Sequence, residues 1–130
     1  MNYNYQIDNQ SRKAVYEQII DQIEKFILAG VLKQNDQLPS VRSLSIDLNL
    51  NPNTVQRAYT ELERKKVIYT ITGKGGYVSE DAQKIIGEEK RKAFPLFSET
   101  LKEFFIAGVG KEEITELVNE AYKTIKEDPQ

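Results

Sequence analysis

A chain of 130 residues and 14.9 kDa holds one modest core, or a compact domain with a short helical appendage, and excludes a catalytic domain with cofactor lobes. It is 39% hydrophobic and 29% charged, the balance of a soluble globular protein, and its lack of cysteine and histidine excludes disulfides, thiolate or imidazole metal sites and Cys or Ser-His nucleophiles. The net charge of -2 is unevenly spread: residues 1–79 carry 10 Lys+Arg against 8 Asp+Glu, net +2, and residues 80–130 carry 8 against 12, net -4, as in a mildly basic binding module followed by an acidic assembly module.

The start, MNYNYQIDNQ, lacks the basic and apolar regions of a secretory signal, and no run of about 18 apolar residues follows that could span a membrane. A cytoplasmic protein without a membrane partner is expected. Val15, Ile19, Ile20, Ile23, Phe26 and Ile27 recur at helical spacing and predict a first helix from a Ser11 N-cap to a stop at Gly30. Val31 to Leu38 reads as a polar connector in which Asn35 and Asp36 suit tight turns. Ser40 caps a second helix of about three turns, with Val41, Leu44 and Leu48 on its apolar face and a stop near Asn49. Asn51 as N-cap and Pro52 at the first helical position open a third helix, with Leu50 placed to staple onto Val55. Val55, Ala58, Tyr59 and Leu62 share the packed face of that helix, which turns Asn53, Thr54, Gln56, Arg57 and Thr60 outward. Val67 to Thr72, then Gly73 to Gly76, then Tyr77 to Ser79 read as strand, glycine turn and strand. From Glu80 the chain turns helical again, polar as far as Lys92 and then aromatic at Phe94, Phe97, Phe104 and Phe105, with Pro95 kinking or restarting the helix. Beyond a break at Gly108 and Gly110, Ile114, Leu117, Val118, Ala121, Tyr122 and Ile125 predict a last helix from about Lys111.

Helix, helix-turn-helix and glycine-tipped hairpin in this order predict a mostly α fold with a small β-hairpin: a winged helix over residues 1–79, followed by a helical segment over residues 80–130. In a winged helix the third helix enters the major groove and the hairpin flanks it. Asn and Gln amides match adenine edges, Arg matches guanine, and Thr bonds phosphate or packs on a thymine methyl. Asn53, Thr54, Gln56 and Arg57 are therefore candidate contacts to duplex DNA. Arg42, in the first turn of the second helix, can reach phosphate or a base edge. In the hairpin, Gly73, Gly75 and Gly76 permit close backbone approach to a sugar-phosphate surface, and Lys74 places a cation at the tip.

The stretch LPSVRSLSIDLNLNPNTVQRAYTELERKKVIYTITGKGGYV, Leu38 to Val78, resembles the DNA-binding domain of bacterial GntR-type regulators, with LPS-x-R, TV-x-x-AY-x-x-L and G-x-G-x-[FY]-V in register. With the upstream helix the resemblance covers residues 11–79. It implies an operator-binding homodimer whose contacts fall on Arg42, Asn53, Thr54, Gln56, Arg57, Lys74 and Gly75. Only 51 residues follow Ser79, which is similar to the YtrA-type subfamily, whose short tail dimerises and whose members repress transporter genes. Three positions depart from the family pattern. Lys66 stands where glycine ends the recognition helix, at an expected penalty of about 1 kcal/mol in a left-handed cap; Gln34-Asn35 replaces Pro-Gly, and Ser45 replaces alanine.

Plainer readings stand beside these. The polar residues of the third helix could be a solvated face, and Arg42 could pair with Asp47 or Glu17 at the surface. Tyr59 and Tyr77 fit apolar faces better than they fit stacking on bases. Glu88 and Glu89, and Glu112, Glu113 and Glu116, read as surface charge, so neither a metal nor a cofactor is expected and no catalytic residue is assigned. Phe94, Phe97, Leu101, Phe104, Phe105, Ile114, Leu117, Val118, Tyr122 and Ile125 form the expected dimerisation surface, since helices this short lack a third layer to enclose an effector pocket. Whether an effector binds is left open, and a winged helix that binds protein instead of DNA is the alternative.

Overall fold

Four helices in this chain end in the same way, and those endings fix where the backbone turns. The computed structural model describes residues 4–127; the outermost residues of the two expected segments, 1–3 and 128–130, lie outside the described residues. The helices are α1 (Val15–Leu28), α2 (Val41–Leu48), α3 (Pro52–Arg64), α4 (Ala82–Arg91), α5 (Phe94–Ile106) and α6 (Lys111–Glu127), with β1 (Ile68–Ile71) and β2 (Gly75–Val78) between α3 and α4. After α1, α2, α3 and α5 comes one residue of positive φ: Gly30 at 78°, Asn49 at 55°, Lys66 at 70° and Gly108 at 94°. In each case the next residue reaches back to a carbonyl five positions earlier: Val31 to Phe26 at 2.9 Å, Leu50 to Ser45 at 2.9 Å, Val67 to Leu62 at 3.0 Å and Val109 to Phe104 at 3.0 Å. This closure satisfies carbonyls that the helix end would otherwise orphan.

The N-terminal caps are partly those expected. Ser40 accepts a hydrogen bond from the Ser43 amide, and Asn51 accepts one from Asn53. The first helix departs from expectation, because its N-cap is Ala14, with no side-chain cap, and not Ser11. Ser11 Oγ instead accepts from the Lys13 amide at 3.1 Å. The buried Gln18 amide organises the entry, donating to the carbonyls of Asp8 and Lys13, both at 2.9 Å, and accepting from the Asp8 amide at 2.8 Å. The second helix is also shorter than expected, at eight residues, little more than two turns.

β1 and β2 pair antiparallel, with Ile68 opposite Val78 and Ile71 opposite Gly75. The hairpin loop is therefore Thr72 to Lys74. Gly75 and Gly76 lie in the strand and not in the expected turn, and Val67 stays outside β1 because its amide closes the end of α3. The polar connector before α2 also does more than turn. Asn35 donates to Val78 at 2.7 Å, Val78 to Asp36 at 2.9 Å and Leu38 to Gly76 at 2.9 Å, so residues 35–38 lie along the other edge of β2 and leave that edge paired.

Two compact units divide the chain, one through Ile86 and the other from Gly87. The first is built on Ile19, Ile23, Ile27, Leu32, Leu44, Val55, Leu62, Val67 and Val78, all at most 2% exposed. It runs past Ser79 because Ala82 and Ile86, one turn apart on α4, are buried in the same cluster. The second unit contains the end of α4 together with α5 and α6, so the helix restarts at Phe94, with Pro95 in the first turn of α5. Gly108 ends α5, and the amide of Gly110 donates to Glu113 at 2.9 Å as α6 begins, half of a capping box.

Lys66 is exposed and holds a left-handed backbone at the end of α3. Lys66→Gly is expected to stabilise the protein by about 1 kcal/mol, raising Tm by about 3–6 °C. Thermal denaturation checks this, and an unchanged or lowered Tm would show that the left-handed lysine carries no strain.

Candidate nucleic-acid interface

The candidate surface is built from α3 outward. Val55, Ala58 and Leu62 are completely buried and Tyr59 nearly so, which fixes the rotation of the helix about its axis. The Tyr59 hydroxyl donates to the carbonyl of Pro39 at 2.7 Å. Burial pushes this phenol far above its ordinary range, so it stays protonated as a donor. That bond ties α3 to the residue before the Ser40 cap, and hence to the first turn of α2, where Arg42 stands. Arg42 is exposed and makes no ion pair with Asp47 or Glu17. The buried Ser45, at the position where alanine is usual, donates its hydroxyl to the Arg42 carbonyl at 2.8 Å, which explains why the substitution is accommodated.

On the other side of α3, Asn53, Gln56, Arg57 and Thr60 are exposed, and Thr54 is only half-exposed. Helical spacing sets them in two rows, Asn53 with Arg57 and Gln56 with Thr60. Within the second row, Gln56 Nε2 donates to Thr60 Oγ1 at 3.1 Å. Arg57 instead leans onto α1. Its guanidinium carbon lies 3.9 Å from the centroid of the Tyr16 ring, and Nη2 donates to the Tyr16 hydroxyl at 3.3 Å. The carboxylate one turn along, Glu61, is engaged by Arg64 at 2.8 Å, and that bond holds its pKa below the ordinary carboxylate value.

At the hairpin, Lys74 is exposed in the loop and its carbonyl accepts from Gln37 Nε2 at 2.6 Å. Gly75 has φ of 105°, a conformation that a side chain would strain. α3 thus gathers Asn53, Thr54, Gln56 and Arg57. Arg42 and Lys74 stand on other elements of the same unit, and among the described residues no hydrogen bond or ion pair joins their side chains to α3. Two contributors went unnamed at the sequence level. Gln37 anchors the loop that carries Lys74, and Tyr16 anchors Arg57; neither interaction leaves a trace in local periodicity. Tyr69 and Tyr77 stack on each other at 5.6 Å, and Tyr69 donates to Asn35 at 2.9 Å.

Chemically, this surface offers amides that donate and accept together, a guanidinium fork and isolated cations, a set that fits base edges and phosphates. Among the described residues no group of carboxylates is arranged to hold a metal ion, and no helix is long and apolar enough to cross a membrane.

In the unit from Gly87, no described residue through 125 is buried. Phe94, Phe97, Phe104, Phe105, Leu117, Val118, Tyr122 and Ile125 are each 44% exposed or more, while Leu101 and Ile114 are intermediate. Apolar side chains in these numbers remain uncovered within one copy of the chain.

Comparison with known proteins adds the following. The model for bacterial regulatory proteins of the gntR family matches residues 15–78. The HTH-type transcriptional repressor YtrA of Bacillus subtilis (strain 168) is 42% identical over 125 residues, 93% of this chain and 94% of that protein. Among solved structures, a GntR family transcriptional regulator from Listeria monocytogenes is similar with a TM-score of 0.69 at 38% identity, over 88% of this chain and 98% of the other. A transcriptional antiterminator from Listeria monocytogenes EGD-e has a TM-score of 0.74 at 33% identity, over 96% and 94%. The likeness therefore runs past the helix-turn-helix and hairpin and through the three C-terminal helices.

Tyr59→Phe removes one hydroxyl and leaves the ring in the core. Loss of the bond to Pro39 is expected to lower stability by about 1 kcal/mol, read as an earlier urea midpoint with unchanged slope. A midpoint equal to that of the wild type would mean that this bond does not hold α2 against α3.

Proposed function

This chain belongs to the gntR family of bacterial regulatory proteins, and we propose that it binds duplex operator DNA as a homodimer and represses transcription by occluding the polymerase. The observation that carries the proposal is α3 itself, with its apolar side wholly buried and its opposite side a row of exposed Asn, Gln, Arg and Thr. Asn53, Gln56 and Arg57 read base edges. Thr54, half-exposed in the first turn, bonds phosphate. Arg42 and Lys74 bind phosphates, and Gly75 lets the wing backbone approach the sugar-phosphate surface. Residues 1–79 are thus the DNA-binding part and residues 80–130 the dimerisation part, in a cytoplasmic protein.

The apolar residues of α5 and α6 are covered by a second copy of the same segment. A two-fold dimer then places two recognition helices about 34 Å apart, in successive major grooves of a pseudo-palindromic operator. The resemblance to YtrA-type repressors supports transporter genes as targets.

Gel shifts against genomic fragments, beginning upstream of the protein's own gene and run at two salt concentrations, test the DNA reading. Tight, salt-sensitive binding is expected, with Arg42→Ala and Arg57→Ala each weakening it by about tenfold, or roughly 1.4 kcal/mol. If no duplex is bound specifically, the surface of α3 serves a protein partner instead. Sedimentation of the full chain tests the dimer: Phe97→Glu combined with Leu117→Glu should convert a dimer to a monomer whose first unit melts normally. A dimer that survives both charges would place the interface elsewhere.

A further inference from the structure

We propose that Tyr16, which lies outside the helix-turn-helix, is a positioning residue for sequence recognition, its ring and hydroxyl holding the Arg57 guanidinium in a fixed orientation before DNA arrives. The inference rests on the reading that α3 binds DNA and adds how one of its side chains is oriented.

A long arginine on a helix surface ordinarily samples many rotamers, and ordering it on binding opposes affinity. Three features remove that freedom from Arg57. The guanidinium sits over the Tyr16 ring, with its central carbon 3.9 Å from the centroid. One N–H is fixed by the bond from Nη2 to the Tyr16 hydroxyl at 3.3 Å. The residue that would compete at helical spacing, Glu61, is held by Arg64 through Nε at 3.2 Å and Nη2 at 2.8 Å, and among the described residues Arg57 makes no ion pair of its own. Tyr16 is itself held, being half-buried in the first turn of α1 and packed against the core.

A guanidinium carries five N–H donors, and the bond to the Tyr16 hydroxyl uses one of them. The contact with Tyr16 therefore restrains the group while leaving most of its in-plane donors for the paired acceptors of guanine or for phosphate oxygens. A lysine at position 57 could sit over the same ring but would lack the planar fork. The first helix thereby acts on specificity without itself reading a base.

Two measurements on the full-length protein test this. In the free protein, the ring current of Tyr16 should move the Arg57 side-chain proton resonances upfield in NMR spectra, and the shift should vanish in Tyr16→Leu and persist in Tyr16→Phe. Absence of the shift in the wild type would overturn the proposal whatever the protein binds. The second measurement uses the duplex that the wild type enriches most strongly from a random-sequence pool. Tyr16→Leu should weaken binding to it by about three- to tenfold, with little change for a mixed-sequence duplex or in Tm, and Tyr16→Phe should recover most of the loss. Tyr16→Leu should relax sequence preference at the same base position as Arg57→Ala, and in an Arg57→Ala background it should have no further effect. A full loss from Tyr16→Leu in that background would overturn the proposal, because Tyr16 would then act alone. Failure of the wild type to enrich any sequence would sink the DNA reading and the proposal with it, whereas enrichment with Arg57→Ala unaffected would sink only the proposal.

Discussion

The orientation of the polar face of α3 is dictated by what lies on its other side. Ile19, Ile23 and Ile27 of α1 and Val55, Ala58 and Leu62 of α3 are each at most 2% exposed and belong to one cluster. Turning α3 by one residue, about 100°, would exchange Val55 for Thr54 or Gln56 in that cluster. A buried amide without a partner costs about 1–3 kcal/mol, and the displaced apolar side chain adds its own loss. Against a total stability of about 5–15 kcal/mol for a domain, no such rotation is open to the helix. The face that meets a ligand is thus aimed by the core, and Asn53, Gln56 and Arg57 need only be polar residues of suitable chemistry on a helix that cannot roll. α1 also carries Tyr16 on its flank, so the same packing that aims α3 brings the arginine and the ring together.

What could be read from the sequence follows from how local each determinant is. The Ser40 and Asn51 caps, the buried face of α3 and the left-handed end at Lys66 are set by residues within a turn of one another, and the structure has them as expected. Ser11 misled because it is a good cap chemically, whereas the entry to α1 is organised by Gln18, seven residues further on. Gly75 and Gly76 read as turn because glycine usually marks turns. Here Gly75 takes its positive φ inside the strand, and at Gly76 a Cβ would meet Ile68 and Leu38 at 3.6 and 3.7 Å, contact that is close but ordinary. Residues 35–38 read as a loop because their pairing partner, β2, lies some forty positions away. The contact between Tyr16 and Arg57, the Gln37 anchor and the continuation of the core into α4 are likewise long-range. Such pairings are decided by tertiary packing, and hydrophobic period carries no record of them.

The C-terminal helices pose the opposite case. The spacing of Ile114 to Ile125 and the aromatic stretch around Pro95 predict helical structure here, yet no described residue of α5 or of α6 through 125 is buried. Helices of 13 and 17 residues are marginal in water without a packed face, and an exposed patch of this composition marks an interaction surface. The segment is therefore well specified in secondary structure and incomplete in tertiary structure. The proposed second copy supplies the missing layer.

That incompleteness bears on affinity as well as on folding. With a net charge of only +2 over residues 1–79, one copy gains little from long-range attraction to a duplex beyond the few phosphates its cations meet directly. Its hold on DNA must come from oriented groups, and each of these is small: an amide or guanidinium matched to a base edge discriminates by about 1–3 kcal/mol. Two such units joined through their tails make the second binding event effectively intramolecular, which raises overall affinity without any new contact. The acidic balance, net -4, is confined to residues 80–130, leaving the basic excess where the polar face is. In the proposed dimer, weak charge, a restrained arginine and uncovered apolar helices answer one requirement: a small module tight enough to hold its operator only when doubled, and selective through the base-reading groups on α3.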